Sequence, residues 1–158
     1  MFRELTRKEQ KLPAEEALSL LRRETRGILA VQGEGGYPYA MPMNHYYHGE
    51  DGCLYFHSGL TGHRTDALQS CDKVCFCCTE QGEKRPGDWF YTVRSVVVFG
   101  RMQLVRDPDT VRRITTLLSH KFTRDDAYIE GEIRAALDHT LLLRLVPEDI
   151  CGKKVTER

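Results

Sequence analysis

One short stretch in the first half of the chain combines residue types that could bind a small anion. Residues 54–57 alternate between apolar and polar side chains, which is typical of a half-buried strand. Gly59 and Gly62 then interrupt this alternation and permit a tight turn. From His63 onward the apolar residues follow helical spacing. The stretch therefore predicts a strand, a turn and the beginning of a helix.

The beginning of this helix carries the groups that a phosphate needs. The free N–H groups of a first helical turn bear a partial positive charge. His63 and Arg64 lie in that turn, and Ser58 and Thr61 could add hydroxyl donors on the same side. This combination predicts a site for a phosphate monoester. The alternative is a solvated first turn with Thr61 as an ordinary N-terminal cap.

Composition excludes several other classes of function. The 158 residues contain 23 basic and 23 acidic side chains, so the net charge is zero. Nothing in this balance favours nucleic acid or an anionic membrane as a partner. The longest apolar runs, such as 95–100 and 141–146, are too short to cross a bilayer, and residues 1–8 contain no hydrophobic signal core. We therefore expect a single cytoplasmic domain spanning residues 1–158.

The six cysteines are predicted to be free thiols that pack as small apolar groups. Cys75, Cys77 and Cys78 lie within a predicted buried strand, where adjacent side chains point to opposite faces. No ligand spacing indicates a metal site, and none is predicted. A structural zinc site that combines cysteines with His45, His48 or His57 stays open as a further alternative.

The remaining elements predict an antiparallel sheet with flanking helices. Helices are expected from Pro13 to before Gly27 and over residues 63–70, 108–122 and 127–139. The six predicted strands are 28–31, 37–47, 54–57, 73–79, 89–105 and 141–146, followed by a polar tail over 148–158. Short glycine-rich connections favour a small barrel over a doubly wound sheet.

Four segments resemble a known family when they are taken in order. Residues 42–44, 55–58, 62–64 and 94–100 are similar to the FMN-binding split-barrel family, typified by pyridoxamine 5'-phosphate oxidase. Within that family the chain most resembles the branch that includes nitroimidazole-resistance proteins. The resemblance extends over nearly the whole chain. It implies a mainly β fold with flanking helices, built on a six-stranded antiparallel split β-barrel.

The resemblance also implies a cofactor site. It places the FMN phosphate on His63 and Arg64, assisted by Thr61 and the beginning of the helix. Ser95 takes the place of a polar residue that, in the oxidase, reaches the flavin from the partner subunit, which implies a homodimer with flavin at the subunit interface. The full set of implied FMN-binding residues is Met41, Pro42, Met43, Asn44, His57, Ser58, Thr61, Gly62, His63, Arg64 and Ser95.

The implied activity is that of an FMN-dependent oxidoreductase, with a reduced nicotinamide as donor and a small aromatic, quinone or nitro compound as acceptor. His57 is the candidate catalytic residue; its alternative is a hydrogen-bonded sheet histidine. The oxidase carries Arg-Lys where this chain has His63-Arg64, and residues 148–158 lack tryptophan, so pyridoxamine phosphate oxidation is not expected. A second hypothesis is a flavin- or haem-binding protein without turnover, with His45, His48 or His57 as axial ligand.

Overall fold

The computed structural model describes residues 2–158, which form seven β-strands and four α-helices. The strands are β1 Arg26–Gln32, β2 Pro38–Asn44, β3 Tyr46–His48, β4 Cys53–Gly59, β5 Lys73–Thr79, β6 Thr92–Val105 and β7 Thr140–Thr156. The helices are α1 Ala14–Arg23, α2 His63–Ser70, α3 Pro108–Ser119 and α4 Asp126–Ala136. Three single turns of 3₁₀-helix occupy Lys8–Gln10, Glu34–Gly36 and Leu137–His139.

All seven strands belong to one antiparallel sheet in the order β2-β1-β5-β6-β7-β4-β3. The sheet curls, so that β2 at one edge contacts β4 without sharing a hydrogen-bonded ladder with it. A bulge between Phe99 and Gly100 shifts the register of β6 against β7. A side chain at Gly100 would lie 2.2 Å from the Val146 carbonyl oxygen, so only glycine fits this bend. The architecture is the predicted mainly β split barrel with flanking helices, and the split lies between β2 and β4.

Two clusters of buried side chains hold the helices against the sheet. The larger cluster fills the inside of the curl, where Leu20 and Leu21 of α1 are buried together with sheet residues such as Phe56 and Phe76. The smaller one lies on the opposite face of β4 and β7, where Ile114 of α3 packs near Leu142. The helices therefore cover the interior and one end of the outer face.

Much of the outer face remains apolar and lies outside both core clusters. We call it the outer band. Ile28 lies opposite Pro42 and Cys77 in the sheet register, and its side chain is 46% exposed. Phe2 stacks on Phe99 with ring centroids 5.4 Å apart. The band consists of Ile28, Ala30, Ala40, Pro42, Cys75, Cys77, Val97, Phe99 and Cys151.

The structure corrects the predicted strand over residues 37–47. The chain leaves the ladder with β1 after Asn44, turns inward at His45 and pairs Tyr46–His48 with β4 instead. The His45 backbone N–H donates to the Thr25 carbonyl at 3.2 Å, outside the sheet. Six predicted strands therefore become seven. Pro38 and Pro42 lie on an edge strand, because β1 is the only strand that pairs with β2 among the described residues, and an edge tolerates residues that cannot donate ladder hydrogen bonds.

The predicted polar tail over residues 148–158 is also wrong. Strand β7 continues to Thr156 and pairs with β6 along this length. Gly152 is buried beneath Leu12 and Ala17, and Ile150 packs against the larger core cluster, so the segment contributes to the core despite its polar composition. The predicted strand over 89–105 begins at Thr92, and the helix predicted to reach residue 122 ends at Ser119. No helix within residues 2–158 is long and apolar enough to span a membrane.

Candidate functional site

A cleft of about 440 Å³ opens where the barrel is split between β2 and β4. Its walls are the end of β2, the end of β4 and the first turn of α2, with Arg26 and Gly59 at its margins. The size falls within the range of small-molecule sites. The cleft brings together six of the predicted site residues, namely Pro42, Met43, Asn44, His57, Ser58 and Arg64.

The edge position of β2 explains why this wall can interact with a ligand. Because β2 pairs with β1 alone, every second residue directs its backbone N–H or C=O away from the ladder and toward the split. Pro42 has no N–H to leave unsatisfied there. The wall therefore combines free backbone hydrogen-bonding groups with the apolar surface of Pro42 and Met43.

Arg64 is held in the cleft by two neighbouring side chains. Its Nε and Nη2 donate to Ser58 Oγ at 3.2 and 2.6 Å, and its Nη1 lies 2.9 Å from Met43 Sδ. Gly62 forms the N-cap of α2 with φ +120° and no side-chain cap hydrogen bond. The N–H groups of the first turn of α2 thus have no capping side chain, and the alternative that Thr61 caps this helix is wrong.

The cleft carries positive charge that no carboxylate balances. The Arg26 Nε donates to Asn44 Oδ1 at 2.9 Å. Within residues 2–158, neither Arg26 nor Arg64 forms an ion pair. Two guanidinium groups and an uncapped helix N-terminus together form an arrangement that favours a bound anion.

His57 lies at the border of the cleft, at the end of β4. The ring remains exposed on one side and lines both this cleft and a neighbouring groove. Desolvation, followed by the positive charge of Arg64, lowers the pKa of His57 below its ordinary value. This shift favours the neutral imidazole, in which one nitrogen donates a hydrogen bond and the other accepts one.

The other predicted cofactor residues lie outside the cleft. Met41 is buried in the core, and Thr61 is exposed ahead of α2, as is Gly62. The His63 ring stacks on Tyr39, with centroids 4.2 Å apart and planes 10° apart. Ser95 lies on β6, opposite Thr79 and Lys153, and strand β7 separates β6 from β4 at the split.

Arg26 is the functional candidate that was missed at the sequence level. It begins β1 directly opposite Asn44, which brings its guanidinium to the cleft. The sequence contains a signal for this pairing, because Glu34-Gly35-Gly36 is typical of a hairpin turn centred on Gly35. Counting nine residues outward on each side of that centre pairs residue 26 with residue 44, as the sheet register does.

Two of the three histidines considered as haem ligands are enclosed. His45 is fully buried, with Nε2 2.9 Å from the Leu21 carbonyl oxygen. His48 is buried with Nδ1 3.2 Å from Asp51 Oδ1. Only His57 reaches the cleft. All six cysteines are free, and the described part of the chain contains no cluster of three His, Cys, Asp or Glu residues that could hold a metal ion.

Comparison with solved structures gives the same fold for proteins with low sequence identity. A candidate 5-nitroimidazole antibiotic resistance protein from Bacteroides thetaiotaomicron is 20% identical, with a TM-score of 0.77 over 92% of this chain and 87% of the other. An FAD-binding protein from Mesorhizobium loti is 24% identical, with a TM-score of 0.65 over 92% and 97%. An FAD and heme binding protein from Mycobacterium smegmatis is 20% identical, with a TM-score of 0.73 over 96% and 75%.

Among curated proteins, no significant match is found. A family model described as pyridoxamine 5'-phosphate oxidase matches residues 13–154, which include every strand of the sheet except the last two residues of β7. The match covers the cleft and all the residues that line it. This chain therefore belongs to the pyridoxamine 5'-phosphate oxidase family.

Proposed function

We propose that this protein binds FMN in the cleft between β2 and β4 and acts as an FMN-dependent oxidoreductase. The observation that carries the proposal is the pair Arg26 and Arg64, two guanidinium groups that line one cleft with no carboxylate partner among residues 2–158. Two similar structures belong to proteins described as binding FAD, one of them with heme as well. These names support a flavin as the ligand.

The residues of the cleft fit the two ends of a flavin mononucleotide. Arg64 and the N–H groups at the beginning of α2 would hold the phosphate, because a guanidinium can bind two phosphate oxygens at once. The edge of β2 would lie along the ring system, where its free backbone groups match a polar ring edge. His63 would contribute to the phosphate only if it left Tyr39, on which its ring stacks.

The redox chemistry would be supplied by the flavin, with electrons from a reduced nicotinamide of the cytoplasm. The acceptor class we propose is a small aromatic, quinone or nitro compound, and a nitroimidazole is its most specific form. His57 would donate a hydrogen bond to an acceptor oxygen, because its lowered pKa favours the neutral imidazole, which keeps one N–H, and its side chain is exposed at the cleft.

We further propose that two copies associate through the outer band. An uncovered apolar surface of this kind is typical of an interaction site. Pro42 belongs to both the band and the cleft, so a second copy seated on the band would complete a wall of the cleft. The homodimer would thereby place the flavin at the subunit interface.

The decisive experiment compares FMN with riboflavin, which lacks the phosphate. The purified protein should be yellow, or become so on adding FMN, and should bind FMN at least about tenfold more tightly than riboflavin. Arg64→Ala should weaken FMN binding about ten- to hundredfold and leave riboflavin binding unchanged, since a hydrogen bond to a charged group contributes about 1.5–3 kcal/mol. Arg124→Ala, an exposed arginine with no ion pair in residues 2–158, is the matched control.

Two results would overturn the proposal. One is a colourless protein that fails to bind added FMN. The other is an Arg64→Ala variant that retains the parental preference for FMN over riboflavin, which would mean that the phosphate lies elsewhere. A haem absorption spectrum in the purified protein would instead favour the alternative of a haem-binding protein, with His57 as the accessible ligand.

A further inference from the structure

A second, apolar groove lies on the other side of His57. Its volume is about 170 Å³, and it is formed between α3, α4 and the beginning of β7. The helix α3 contributes Val111 and Leu118, while Ile133 and Ala136 come from α4. His57 lines both this groove and the arginine-containing cleft. A single imidazole ring would therefore lie between a molecule in the groove and a ligand in the cleft.

The polar groups around the groove offer few free donors. Thr115 Oγ1 donates to the Val111 carbonyl oxygen at 2.6 Å, and Thr140 Oγ1 donates to the Ala136 carbonyl oxygen at 2.9 Å. Both hydroxyl hydrogens are therefore already used by the backbone. The lining side chains with a free donor are the Ser119 hydroxyl and the imidazole of His57, and of these His57 also lines the cleft.

The charged side chain that lines the groove is a carboxylate. Glu132 is the only carboxylate among the described residues that line it, and within residues 2–158 it forms no ion pair. Among residues 2–158, no lysine or arginine lines the groove. An anionic ligand would therefore meet an unbalanced carboxylate and an apolar wall, whereas an uncharged ligand would not.

We propose that this groove binds the ring of an uncharged, single-ring aromatic compound and directs its polar acceptor group toward His57. The volume supports one ring, because apolar protein cavities of about 150 Å³ bind benzene. The inference rests on the proposed function, since it makes this ring the electron acceptor for a flavin bound in the adjoining cleft. The groove thus favours an uncharged acceptor over an anionic one.

The probe is 4-fluoronitrobenzene, whose binding to the parent protein is followed by fluorine NMR in the presence and absence of FMN. Ala136→Leu would fill the groove and should weaken binding of the probe at least about tenfold, since three added carbons remove most of the apolar surface it contacts. Ala135→Leu is the matched control, because Ala135 is exposed on the same helix and does not line the groove. Its affinity for the probe should stay within about twofold of the parent.

The charge preference has its own test with the anion 4-fluorobenzoate. This compound should bind at least about tenfold more weakly than 4-fluoronitrobenzene, and Glu132→Gln should reduce that difference. If Ala136→Leu fails to fold, Ser119→Leu fills the same groove from α3. Equal binding of the probe by parent and groove variants, or an equal loss with Ala135→Leu, would overturn the proposal.

The outcomes separate this inference from the proposed cofactor. If FMN does not bind, but Ala136→Leu weakens binding of the probe and Ala135→Leu does not, the groove is a binding site and the proposed function is wrong. If every groove variant binds both FMN and the probe as tightly as the parent does, the cofactor proposal stands and the groove is not the acceptor site.

Discussion

The guanidinium of Arg64 donates two hydrogen bonds to the hydroxyl of Ser58, at 3.2 Å from Nε and 2.6 Å from Nη2. Ser58 itself donates to the Gly59 carbonyl oxygen at 3.0 Å, so its oxygen is held by its own strand. The end of β4 thus orients the charged group that α2 carries six residues later. A long side chain oriented before binding loses less conformational entropy when it captures an anion.

Replacing Ser58 should therefore weaken anion binding without removing any charge. We expect Ser58→Ala to lower the affinity for FMN about three- to tenfold, or about 1 kcal/mol, because Arg64 would lose the partner that orients it before binding. This loss is smaller than that expected for Arg64→Ala. Quenching of flavin fluorescence during titration measures the affinity.

The matched control for this prediction is Ser70→Ala. Ser70 ends α2, is exposed and donates to the Asp66 carbonyl oxygen at 3.1 Å, away from the cleft. Its replacement should leave FMN binding unchanged. Equal losses in the two variants would mean that Ser58 acts on the helix as a whole and not on Arg64.

The positive charge of Arg64 should have a measurable effect on the pKa of His57. Because Arg64 is the second cause of the lowered pKa of His57, after desolvation, Arg64→Met should raise that pKa. The value should remain below that of an exposed histidine, since desolvation persists. Titration of the His57 ring signals by NMR between pH 4.5 and 8 measures the change.

The control for the charge effect is Arg26→Met. Arg26 lines the same cleft, but it is not among the charges that lower the pKa of His57. In Arg26→Met, the pKa of His57 should therefore equal that in the parent. If Arg64→Met leaves the pKa of His57 unchanged, the two side chains do not interact as the structure describes.

The part of the site that could be predicted lies close together in the chain. His57, Ser58 and Arg64 fall within one strand, turn and helix, so local spacing was enough to group them. The orientation of His63 could not be predicted in this way. Successive helical residues point in different directions, and the ring of His63 packs on Tyr39, which reaches α2 only through the curl of the sheet.

The errors in the fold have the same origin. Residues 37–47 form an unbroken strand-like run in the sequence, and the break at His45 depends on contacts with Leu21 and Phe76 from distant elements. The lysines at the end of β7 give this segment the composition of a polar tail, although Gly152 packs against α1. Each error concerns a contact between elements far apart in sequence, which periodicity does not encode. Whether Ser95 reaches a flavin depends on a second copy and stays a prediction.

The outer band gives a prediction about assembly. Ile28→Arg should convert the proposed dimer into a monomer, because it places a charge at the middle of an apolar surface that association would bury. Sedimentation velocity measures the change. FMN affinity should fall with it, since the partner would wall the cleft beside Pro42.

The control for assembly is Tyr128→Arg. Tyr128 lies on α4 outside the band and is 58% exposed. Its replacement should leave both the sedimentation coefficient and the FMN affinity unchanged. A parent protein that sediments as a monomer, or an Ile28→Arg variant that remains dimeric, would contradict the proposed interface.

Buried His45 should make the stability of the fold depend on pH. Burial, followed by the positive charge of Lys121, lowers the pKa of His45 to about 4. The unfolded chain binds a proton near pH 6.5, whereas the folded chain resists it until about pH 4. Stability is therefore fully present above pH 6.5 and is lost as the pH falls toward 4. From pH 7 to pH 5, this single group should lower the free energy of unfolding by about 2 kcal/mol.

The test compares urea unfolding of the parent, His45→Gln and His139→Gln at pH 7 and pH 5. In His45→Gln the free energy of unfolding should be lower at pH 7, because a core side chain has been changed, but the additional loss at pH 5 should shrink by about 2 kcal/mol. His139 is exposed, so its replacement should keep the parental dependence on pH. If His45→Gln loses as much stability between pH 7 and pH 5 as the parent does, the imidazole of His45 is not held neutral by burial and some other group governs the response to acid.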